Sequence, residues 1–171
     1  IWWRISALSP VDYESRLKIG VTAKNIGAVY ASENNLPTAI DWTEYALSNY
    51  ESIIYEEAHE SDLRKEAAFT RYNLANMYLN LGYVVEALKL YETAVSELNN
   101  IFIHYLFDLE FLRMFGAVNR RMYALYIFLG MTDEANGTLA NISQRLRDLY
   151  ERTKNDSIRE GVGGKDGGYD R

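Results

Sequence analysis

The chain has 171 residues, 48% of them hydrophobic and 25% charged, with a formal net charge of −6. That composition supports one domain with a sizeable core and argues against a general nucleic-acid binder, which needs a basic face to neutralise phosphates. The lack of cysteine excludes disulfides, thiolate metal sites and cysteine nucleophiles, and it fits a reducing compartment.

Residues 1–9 form a short N-terminal segment carrying Trp2 and Trp3. Ser9-Pro10-Val11-Asp12 follows, in the order of a helix start: a capping hydroxyl, proline at the first helical position and an acid at the third. Apolar residues then recur at helical spacing through Val11, Leu17, Val21, Ile26, Val29 and Tyr30. The pattern predicts six helices, at about 10–33, 36–58, 61–81, 84–106, 108–129 and 132–154. Asparagines at Asn34-Asn35 and glycines at Gly82 and Gly130 mark the breaks within each pair, since both residue types tolerate a left-handed turn. The boundary between the fourth and fifth helices is open. Asn99-Asn100 is an alternative end to the fourth, which would leave Ile101 to Phe107 in a longer fifth. Residues 155–171, glycine-rich from Gly161 onward, read as a flexible tail.

No stretch reaches the ~20 apolar residues of a membrane-spanning helix, although peripheral association with a membrane complex stays open. The chain opens on Ile1 rather than methionine, as a processed protein or a fragment would. The expected location is intracellular, either cytoplasmic or in a mitochondrion or plastid after loss of a presequence.

One segment occurs three times at a fixed step. It ends in Tyr30, Tyr78 and Tyr126, and an alanine follows nine residues later at Ala39, Ala87 and Ala135. The step is 78 − 30 = 126 − 78 = 48 residues, a period that marks helical repeats. The middle copy, with Tyr72-Asn73-Leu74-Ala75-Asn76-Met77-Tyr78, Gly82, Glu86-Ala87-Leu88, Tyr91 and Ala94, resembles a tetratricopeptide repeat. The first copy matches through Asn25, Ile26, Gly27, Tyr30, Ala39, Ile40 and Ala46. The third keeps Tyr126, Gly130, Glu134, Ala135 and Leu139 but has Ile142 where a small residue is usual. The resemblance covers about residues 10–154 and implies an all-α, right-handed solenoid of three antiparallel helix pairs. The family period is 34 residues, so each copy here carries 48 − 34 = 14 more, or about two extra turns per helix.

No catalytic constellation is legible. His59-Glu60 lacks the second histidine of a zinc-protease motif, because Leu63 stands three residues on from Glu60. Gly161-Val-Gly-Gly-Lys165-Asp166 fails as a phosphate loop, with Arg159 and Asp166 where glycine and a hydroxyl residue belong. Catalytic residues, metal ligands and cofactors are therefore expected to be none.

The resemblance implies that the first helix of each pair lines a concave groove. By alignment this assigns Lys24, Phe69, Tyr72, Asn73, Asn76, Asn80, Arg120 and Arg121 to partner binding. The charges in this set are only positive, on an acidic protein. Asparagine can also bond a peptide backbone through both donor and acceptor. An extended or helical protein segment carrying a carboxylate or an acidic side chain is the expected partner. The alternative is that these cations balance nearby surface acids. Lys24, Asn73 and Arg121 also match three of the five residues with which chaperone-binding members grip a C-terminal carboxylate, while Ala28 and Ala117 occupy the other two places. The aromatic run through Phe107 and Phe111, with Trp2 and Trp3, is a possible second interface. The expected function is a non-catalytic adaptor, or an accessory or assembly subunit of a larger complex. A cochaperone-like peptide receptor is the alternative, and a small helical enzyme is a further one.

Overall fold

The computed structural model describes residues 12–56 and 61–163. Among these the chain is all-α, with six α-helices: α1 (Tyr13–Ser32), α2 (Leu36–Glu56), α3 (Ser61–Asn80), α4 (Val84–Ile101), α5 (Leu109–Phe128) and α6 (Thr132–Gly163). A short 3-10 turn, Phe102–Tyr105, continues α4. Each helix packs on its neighbours in sequence, giving the three pairs α1–α2, α3–α4 and α5–α6, with α2–α3 and α4–α5 joining one pair to the next.

The step of 48 residues is written into the backbone. Asn34, Gly82 and Gly130 have φ values of 60°, 85° and 74°. At each turn the third amide beyond the helix reaches back to the tyrosine carbonyl: Asn35 to Tyr30 (2.9 Å), Tyr83 to Tyr78 (2.9 Å) and Met131 to Tyr126 (2.8 Å). This is the hydrogen-bond pattern by which a left-handed residue closes a helix and satisfies its last carbonyls. The alanines Ala39, Ala87 and Ala135 are then fully buried, where a larger side chain would hold the paired helices apart.

The same step governs the joints between repeats. The Tyr78 hydroxyl donates to Glu44 and the Tyr126 hydroxyl to Glu92, both at 2.6 Å. Each bond ties the first helix of a pair to the second helix of the pair before it. The helices α1 to α5 have 18 to 21 residues apiece, so the extra length of each repeat extends both members of the pair away from the turn.

Helix α3 sits at the centre and is buried on two sides. Leu63, Ala67, Leu74 and Met77 belong to a core shared with α1 and α2, while Ala68 and Ala75 belong to a second core with α4, α5 and α6. In the first pair the helices approach so closely that a methyl group on Gly20 would lie 2.5 Å from the ring of Tyr50. On Gly27 it would lie 2.7 Å from the Thr43 hydroxyl oxygen.

Three boundaries differ from expectation. The first helix is capped by Asp12, whose carboxylate accepts from the Ser15 amide at 2.7 Å, rather than by Ser9, which lies outside the described residues. The fourth α-helix ends at Ile101, and the chain continues as the 3-10 turn rather than joining α5, because Asp108 caps α5 by accepting from the Phe111 amide at 3.0 Å. Helix α6 continues to Gly163 instead of stopping near residue 154, so the expected tail begins, at the earliest, after that residue.

Candidate functional site

The face of α3 turned toward α1 carries Glu66, Thr70, Asn73, Met77 and Asn80, which recur at steps of three and four residues and so form one stripe. Between that stripe and α1 lies an open cavity of about 370 Å³. It is lined by Lys24, Ala28 and Ala31 from α1, Leu36 and Thr43 from α2, and Thr70, Asn73, Asn76, Met77 and Asn80 from α3. Ala28, Ala31, Leu36 and Met77 give an apolar floor, and the amides and hydroxyls stand around it.

The threonines are already committed, Thr43 to the Ala39 carbonyl (2.7 Å) and Thr70 to the Glu66 carbonyl (2.8 Å). Asn76 is half committed, since its Oδ1 accepts from the Tyr91 hydroxyl at 2.7 Å and its amide nitrogen makes no such bond to a described residue. Asn73 and Asn80 are exposed. The cavity thus offers amide donors and acceptors over an apolar base.

Of the sequence-assigned residues, Lys24, Asn73, Asn76 and Asn80 are brought together here. Lys24 forms an ion pair with Glu66 of α3, which is the alternative reading of this cation, balanced by a nearby acid. Phe69 and Tyr72 lie outside the cavity. Both are half-buried against the second core, Tyr72 with its ring 5.9 Å from that of Tyr91. Arg120 and Arg121 are exposed on α5 and line no part of it, although Arg121 is near enough to Tyr91 to act electrostatically on its hydroxyl. Lys24 and Asn73 therefore share a cavity from which Arg121 is absent.

The possible second interface divides. Phe111 is fully buried, stacked 5.1 Å from Tyr105 and in edge contact with Phe102 at 5.9 Å, so it is a core residue and is withdrawn as a contact site. Its place in the first turn of α5 aims it back at α4. Phe107 is exposed, beside exposed Ile103 and Leu109. Trp2 and Trp3 lie outside the described residues, as does His59.

Leu36, Thr43, Thr70 and Met77 are the lining residues that sequence reasoning missed, together with Glu66, which pairs with Lys24. Glu66 had no legible signal, because the positions one period on from Lys24 and Glu66 are Tyr72 and Met114 and the pair does not repeat. Thr70 and Met77 follow from α3's helical spacing once α1 is known to face it, whereas Leu36 and Thr43 come from α2.

Among the described residues no group of three metal-ligating side chains converges, and no helix is long and apolar enough to cross a membrane. Comparison with family models and with curated protein sequences finds no match to this chain.

Proposed function

We propose that this chain is a non-catalytic protein-interaction module of tetratricopeptide-like design, an adaptor or accessory subunit that holds an extended peptide segment of its partner in the α1–α3 groove. The observation that carries this reading is the convergence of Lys24, Asn73, Asn76 and Asn80 on one cavity with an apolar floor. The stripe from Glu66 to Asn80 spans 14 residues of helix, about 21 Å, which matches roughly six residues of extended chain. Amide side chains suit such a ligand because each can donate to a carbonyl and accept from an N–H. The receptor for a bare C-terminal carboxylate is the weaker version: Lys24 is already matched by Glu66, and Arg121 stands apart.

The test uses peptides selected from a random display library against the full chain. Because Asn73 and Asn80 are exposed, replacing both with alanine leaves the fold in place. Loss of two ligand hydrogen bonds, each of about 1 kcal/mol, should weaken the selected peptides by at least about tenfold. Peptides that bind the double variant as tightly as the unaltered chain would remove the groove from the account.

A further inference from the structure

The internal repeat supplies a standard against which its last helix can be read. Positions 91, 98 and 102 of the second repeat hold Tyr91, Leu98 and Phe102, which are 0%, 0% and 3% exposed. Their counterparts 48 residues on, Leu139, Leu146 and Tyr150 of α6, are 46%, 60% and 64% exposed. The three lie at steps of seven and four residues, so they share one narrow stripe of the helix.

That stripe is not shaped to receive another repeat. Leu88 and Val95 of α4, buried in the core that α4 shares with α3, α5 and α6, are replaced in α6 by Asn136 and Ser143. Glu92, which accepts from the tyrosine of the next repeat, is replaced by Ala140. What is left is a two-turn-and-more apolar seam with a small residue, Ser143, at its middle, the form used by a pair of helices packed along their length.

Charge on the solvent flank of the seam decides the orientation. Asp133 stands at its N-terminal end and Lys154 at its C-terminal end, both exposed and neither in an ion pair with a described residue. An antiparallel second α6 centred on Ser143 brings Leu139 against Leu146 of the other copy. In that register Asp133 meets Lys154 of the other copy, and the two-fold makes each contact twice.

We propose that the exposed face of α6 is a self-association surface, occupied by α6 of a second copy of this chain packed antiparallel about Ser143. This surface is separate from the α1–α3 groove, and neither reading depends on the other.

Sedimentation equilibrium of the full chain over a wide concentration range tests it. The unaltered protein should form a dimer and nothing larger, since an isologous contact closes at two. Leu146→Glu, at an exposed position, should keep the helical circular dichroism and weaken the dimer at least about tenfold. Asp133→Lys and Lys154→Asp should each weaken it, and the two together should restore it. A chain that stays monomeric throughout, an open series of higher oligomers, or a Leu146→Glu dimer as tight as the unaltered one would each overturn the proposal.

Discussion

Replacing Arg71 with alanine is expected to destabilise the fold by about 3–5 kcal/mol, read as a lower midpoint in urea unfolding. Its side chain is only 8% exposed, and it bridges three helices. From α3 it donates to Glu51 of α2 at 2.5 Å and to Glu97 of α4. Burial holds the Glu97 carboxyl above its ordinary pKa, and the Arg71 guanidinium pulls the other way. Without Arg71, a partly buried carboxylate loses its main counter-charge, and the packed stem of the arginine is lost with it. Because the penalty comes from the stranded acid, Arg71→Met combined with Glu97→Leu should recover most of the loss. Glu51 is half exposed and keeps its water. A cost below about 1 kcal/mol for Arg71→Ala would show that this bridge behaves as a surface pair.

Alkaline pH should unfold the protein cooperatively between about pH 10 and 12. Burial and the Glu66 charge push Tyr50 up to about 12, the hydrogen bond to Glu44 and burial do the same for Tyr78, and burial does so for Tyr91. Tyr105 and Tyr126 are also raised, by burial and by their bonds to Asp62 and Glu92. In the unfolded chain these phenols lose their protons near pH 10, whereas the folded chain holds them. Their contribution is therefore complete below about pH 10 and disappears as pH rises through the folded values. Tyrosinate absorbance should rise in two phases, the second coinciding with loss of helical dichroism. All 14 tyrosines titrating together near pH 10 with helicity intact would contradict the packing described for these five.

Much of the architecture was legible because it repeats. A tyrosine, a left-handed residue and an alanine at one spacing locate three turns, and the turns locate six helices. The start of α1 moved because two residues offer one role, Ser9 and Asp12 both being able to cap a helix. Phe111 was misread because the aromatic run divides between core and solvent according to where α5 begins, which depends on the Asp108 cap. The ion pairs were illegible for a different reason. Arg71 has Ala23 and Asn119 at its equivalent positions, and Lys24 has Tyr72 one step on, so each bridge occurs once. Periodicity carries no information about a contact that is made a single time between helices 20 to 42 residues apart.

The groove is the claim on which the functional account stands, and side-chain amide resonances report on it directly. In a ¹⁵N correlation spectrum titrated with a library-selected peptide, the side-chain amides of Asn73, Asn76 and Asn80 should shift first and saturate together with the backbone signals of Ala28 and Ala31. Those five cavity-lining residues belong to α1 and α3 alone. Shifts confined to Ile103, Phe107 and Leu109, with the three asparagine amides unmoved, would place the partner on the exposed apolar patch around Phe107 and contradict the account.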